Sequence, residues 1–154
     1  MIAKITRGER VGSIAAYLHG PGKANEHQYK RGGQTHTGGV VIASNIGVEG
    51  DIEPNRWAKD LRASQKHRPD ITKPIWQASL RAAPGDRIMS DAEWNAIAVE
   101  FMEGMGLENR PWVAVRHGDD HIHVVVSRVN DEGEVWHGRN DRRQAQTCLL
   151  YTSD

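Results

Sequence analysis

Cysteine is almost missing from this chain: Cys148 is the single one in 154 residues. An internal disulfide is therefore excluded, and a reducing compartment is the natural setting. An excess of charge of either sign is missing too. Twenty Lys and Arg balance twenty Asp and Glu, so attraction to a polyanion through global basicity is removed and any such site must come from local charge. No apolar run approaches the ~20 residues that span a bilayer, and the N-terminus, M-I-A-K-I-T-R-G, has no signal-peptide profile. No G-x-x-x-x-G-K-[ST] loop is present, which argues against a nucleotide-driven machine. Internal repeats and low-complexity tracts are absent as well. What remains is the expectation of one domain over 1–154, soluble and cytoplasmic, with no membrane partner.

Against these absences stands the stretch from Trp112 to Val129, W-V-A-V-R-H-G-D-D-H-I-H-V-V-V-S-R-V. Two β-branched runs flank Gly118, Asp119 and Asp120, the signal for a tight hairpin. With those residues in the loop, His117 and His121 face each other across the strands. His123, two residues on, points to the same side as His121. Strand histidines often pack or pair in ordinary ways, and alternate histidines can arise by chance in a chain holding eight. Three on one face, beside an Asp-Asp turn, favour a metal site. The Cys pairs of structural zinc modules are missing, and three nitrogen ligands leave positions open, which suits catalysis. Mn, Zn, Ni and Co fit such ligands, with Mg or Mn the divalent ions expected in use.

The remaining elements follow in order. Met1–Thr6 alternates as a strand, Arg7–Arg10 reads as a polar turn, and Val11–Leu18 forms a small helix with Gly12 or Ser13 near its start and Gly20-Pro21 beyond. Tyr17 lies in its last turn. The segment 20–39 contains six glycines with Lys23, Lys30 and Arg31. It reads as a long flexible loop, either merely solvated or a flap whose Lys23 and Arg31 meet a phosphate backbone. Val40–Ser44 and Ile75–Arg81 read as strands, and Pro54 opens a helix to about Lys66. Ser90 and Glu93 make a capping box, followed by the apolar stripe Trp94, Ile97, Ala98, Phe101, Met102 and Met105. Asn130–Gly133 turns the chain, and a polar helix runs from Asn140 to about Leu150. The final C-L-L-Y-T-S-D breaks off inside that helix, as in a chain cut short or ending in foreign residues. The expected class is α+β: a mostly antiparallel sheet of about five strands flanked by helices.

M-I-A-K-I-T-R-G with Y-L-H-G-P-G-K-A-N-E-H, then S-D-A-E-W-N-A-I-A-V-E-F-M-E-G-M-G, then R-H-G-D-D-H-I-H-V-V-V-S-R-V resemble, in that order, the N-terminal nicking domain of plasmid mobilisation relaxases of the HUH endonuclease superfamily. The resemblance implies a metal-dependent enzyme that nicks single-stranded DNA at a transfer origin, with accessory mobilisation proteins as partners in a bacterial cytoplasm. It implies Tyr17 as the nucleophile that takes the 5′ phosphate, with Tyr29 and Tyr151 as competitors. His117, His121 and His123 match the metal triad. Asp119 matches the acidic position, but only three residues separate the first histidine from the H-x-H pair, so Asp120 stays open for that role. Arg7, Lys23, Arg31, Arg81 and Arg128 are the candidate DNA contacts. A histidine-dependent nucleotide phosphohydrolase and a non-catalytic DNA-binding accessory domain are the alternatives.

Overall fold

The structure, a computed structural model, describes residues 1–24 and 26–152, with side chains as far as residue 150. The Tyr151 side chain and the last two residues of the chain lie outside that description. In chain order the elements are β1 (Ile2–Gly8), α1 (Val11–His19), β2 (Gln28–Arg31), β3 (Gln34–Thr37), β4 (Val40–Ser44), α2 (Asn55–Gln65), β5 (Ile75–Arg81), α3 (Asp91–Met105), β6 (Trp112–Arg116), β7 (His121–Ser127) and α4 (Asp141–Thr152). Five strands form one antiparallel sheet in the order β1-β5-β7-β6-β4. The fold is α+β, as expected. Among the described residues no helix is long and apolar enough to cross a membrane.

The period-two alternation of the strands sends side chains to two faces, and each face has its own cover. Val113, Val115, Val125 and Ile75 pack with Val11, Ala15 and Leu18 of α1 and with Trp57, Ala58 and Leu61 of α2. Ala114, Ile122, Val124, Val126, Trp76, Ala78 and Leu80 pack with the α3 stripe Trp94, Phe101, Met102 and Met105 and with Ala145 and Leu149 of α4. Both faces of the β6–β7 hairpin are thus apolar and buried, which accounts for its unbroken valine content. α3 begins at a complete Ser90/Glu93 capping box and ends at Gly106 in the left-handed conformation.

Three local expectations change. Arg7 and Gly8 belong to β1, because β5 continues far enough to pair with them as Arg7↔Trp76 and Gly8↔Ile75. α1 starts at Val11 as expected but runs one residue further, to His19. The 20–39 segment is not irregular throughout. β2 and β3 pair as Tyr29↔His36 and Lys30↔Thr35 around Gly32 and Gly33, whose φ values of 59° and 82° suit a tight primed turn. Its strands are mostly polar, so no hydrophobic alternation marks them; the buried Tyr29 is their one anchor into the core.

Candidate functional site

The β7 register fixes the face on which the histidines lie. His121 and His123 alternate with Ile122 and Val124 and so share the α1/α2 face with Val125. Val115 pairs with His123, and continuing that register beyond β6 sets His117 opposite His121. One ligand nitrogen from each of the three rings lies within 4.8 Å of the others. Nitrogens on one tetrahedral Zn-like ion stand about 3.4 Å apart, so the rings must draw together to share an ion. His117 is 2% exposed, and neither ring nitrogen has a hydrogen-bond partner. A buried imidazole with both nitrogens unmatched is costly as it stands and suits a metal ligand. Burial, reinforced by the neighbouring histidines, pushes His117 down to about 2 and His123 down to about 3. Burial also lowers His121. Neutral rings are the form that binds a cation.

The turn is built to hold this set. A Cβ at Gly118 would collide with the His121 ring, so only glycine lets that imidazole lie over the turn. Asp120 Oδ1 accepts from His121 Nδ1 at 2.8 Å and Oδ2 from Arg81 Nη1 at 2.8 Å. That bond fixes the tautomer and leaves the His121 Nε2 lone pair for a ligand. Burial works against the Asp120 charge, yet hydrogen bonds from His121 and Arg81 hold its carboxyl below the usual range. Asp119 is turned elsewhere: its Oδ1 accepts from the Lys30 backbone N–H at 2.8 Å and ties β2 to the turn. Beneath them the buried Arg116 donates to the carbonyls of Gly118 at 3.1 Å and Asp119 at 3.0 Å, and to Asp91 Oδ1 at 2.9 Å.

Tyr17 reaches the same end of the same face. Leu18 and Ala15 bury one side of α1 and leave Tyr17 54% exposed. The end of α1 is fastened by His19, whose Nδ1 donates to Gly39 O at 2.8 Å while Nε2 accepts from Trp57 Nε1 at 2.8 Å. The Tyr17 ring meets His27 edge-on at 4.8 Å between centroids, and His27 lies 3.8 Å from His117. One histidine therefore separates the phenol from the triad. Tyr29, by contrast, is buried on the α3 side, bonded to Asp91 Oδ2 at 3.5 Å and covered by the Arg116 guanidinium. Burial and the nearby Asp91 push its phenol up to about 12, which makes it a poor nucleophile.

The basic residues divide. Arg81 pairs with His121 across the strands and bridges to Asp120, and Arg31 lies 3.4 Å from Asp91 near the turn. Lys23 is exposed in the loop after α1. Arg7 and Arg128 are not with them. Both lie toward the far end of the sheet, about 20 Å away at ~3.3 Å per residue, and on its α3/α4 face. Arg7 donates to Asp141 and to His137 O, and the buried Arg128 donates to Trp136 O and Lys73 O. Arg7 secures Asp141 at the start of α4, and Arg128 ties the chain before β5 to the chain before α4. The residue that reasoning missed is His27, which sits in a polar segment with no periodic signal. Lys4 was missed because alternation marks β1 as a strand but not its neighbour: it is exposed on β1, opposite Ser79, on the histidine face.

No curated protein matches the chain. A family model described as "Relaxase: MobA/VirD2-like, nuclease domain" matches residues 22–149, beginning five residues after Tyr17 and taking in the whole histidine hairpin. Covering well over half of the sequence, that match establishes that the chain belongs to the MobA/VirD2-like relaxases, a family of DNA-nicking nuclease domains.

Proposed function

We propose that this domain nicks single-stranded DNA at a plasmid transfer origin by attack of Tyr17 on one phosphodiester, with a divalent ion, Mg or Mn, held by His117, His121 and His123. The observation that carries this reading is the approach of an exposed phenol, through one intervening imidazole, to three neutral histidines on the same sheet face. In the reaction the Tyr17 Oη–P bond forms and the P–O3′ bond breaks. The phenol's proton goes to surrounding water, and the 3′ oxygen leaves as a hydroxyl. The ion, when bound, supplies positive charge against the phosphate oxygens, whose repulsion otherwise keeps a nucleophile away.

The protein's own groups do the rest. Asp120 holds His121 in the tautomer that presents Nε2, and Arg116 keeps the turn beneath it in shape. The uncovered half of the histidine face, with Lys4 and Thr6 on β1 and Gln77, Ser79 and Arg81 on β5, offers the substrate strand a polar bed leading to the triad. Because a phosphodiester becomes a phosphotyrosyl ester of similar energy, the step reverses without a fuel and reseals the strand. The setting that fits is plasmid mobilisation in a bacterial cytoplasm, alongside accessory mobilisation proteins.

The test is incubation with single-stranded oligonucleotides tiling the DNA that flanks the chain's own gene, with and without Mn, followed by denaturing electrophoresis. The 3′-side fragment, linked to the protein through its 5′ phosphate, is expected with Mn and absent from Tyr17→Phe. Free nucleotide products without any linked DNA would favour a histidine-dependent phosphohydrolase. Tight binding without cleavage would favour an accessory DNA-binding domain.

A further inference from the structure

We infer that His27 is a positioning residue that sets the Tyr17 phenol against the triad, an inference that rests on the reading of Tyr17 as nucleophile. His27 is 4% exposed, although Lys23, Ala24, Glu26 and Gln28 beside it face outward. It is fastened on three sides. Its Nδ1 donates to Gly20 O at 3.0 Å, its backbone N–H donates to Pro21 O at 3.0 Å, and its carbonyl accepts from Gly38 N–H at 2.7 Å. Two of those partners lie directly beyond the end of α1, so the ring is tied to the helix that carries Tyr17.

Held there, the imidazole presents an edge-to-face contact to Tyr17, at 4.8 Å and 87°, and its other side to His117, at 3.8 Å and 47°. Tyr17 has no other ring contact among the described residues. A half-exposed phenol with nothing against it samples several rotamers. With a fixed wall on one side it is confined to directions that run past the triad, and attack on a phosphate depends on that alignment. His27 also closes the outer side of His117, keeping water from a ring whose nitrogens have no protein partner.

The experiment combines 3-fluorotyrosine labelling of the whole chain with single-turnover adduct formation on the tiled oligonucleotides. The fluorine signal of Tyr17 is assigned by its loss in Tyr17→Phe. In His27→Ala that signal is expected to move toward the free amino acid while the other tyrosine signals stay. The adduct rate is expected to fall at least tenfold, and Mn affinity to change less than threefold. His27→Phe, which keeps a ring wall without nitrogens, is expected to recover most of the rate. Should His27→Ala not fold, His27→Leu fills the same space without a ring and serves the comparison. An unmoved Tyr17 signal, an unchanged rate, or equal losses in rate and Mn affinity in both variants would overturn the inference. An adduct that persists in Tyr17→Phe would instead overturn the reading of Tyr17 itself.

Discussion

Imidazoles kept neutral in a confined space make the domain sensitive to acid. An exposed histidine titrates near 6.5, whereas burial holds His117 at about 2 and His123 at about 3 in the fold. Below pH 6.5 the unfolded chain therefore takes up protons that the folded chain refuses. The stabilisation is complete above that pH and is lost as pH falls toward the folded values, at up to about 1.4 kcal/mol per pH unit for each ring. Urea midpoints of the metal-free protein are expected to hold from pH 7.5 to about 6.5 and to drop from there to pH 5, and His123→Gln to flatten that fall. A midpoint constant across that range would contradict this account. At this scale the triad was legible, because alternation in a strand has one geometric outcome. The choice between Asp119 and Asp120 was not, since it depends on where β2 comes to lie.

The hairpin turn is the element on which the site depends, and Arg116 is its support. One buried guanidinium satisfies two turn carbonyls, reaches the first residue of α3 and stacks on Tyr29. Lysine cannot make the same fork of bonds. Arg116→Lys is expected to destabilise the fold by roughly 2 kcal/mol, through carbonyls left without donors, and to weaken Mn binding because the turn no longer holds His121 in place. Thermal denaturation and metal titration read the two effects, and a variant that melts with the wild type would refute the role. Of the elements, α3 was fully legible from its capping box and apolar stripe. The β2–β3 pair was not, because its strands carry almost no hydrophobic pattern and its Gly32-Gly33 turn looks like loop composition.

Across the whole molecule the two ends of the sheet have different tasks. At the far end Arg7 holds Asp141 at the start of α4, and Arg128 joins the loops at Lys73 and Trp136 through their carbonyls. Arg128→Ala is therefore expected to lower stability while leaving the salt dependence of DNA binding in the folded protein unchanged. Lys4→Ala and Arg81→Ala, on the histidine face, should each reduce the slope of log affinity against log salt by about 0.7. Fluorescence anisotropy with a single-stranded oligonucleotide at several salt concentrations measures this; an effect confined to Arg128→Ala would reverse the assignment of the two ends. The antiparallel class was legible from the strand pattern, but the strand order was not: nothing local says that β5 inserts between β1 and β7.

That strand order also governs when the domain can come into being. β1 has no neighbour until residues 75–81 are made, and β4 none within the sheet until 112–116. Such distant pairings are slow to close. A chain emerging from the ribosome thus carries its tyrosine helix long before there is anything for it to face. On the proposed mechanism, competence to cut arrives late in synthesis, once the histidine hairpin has been made.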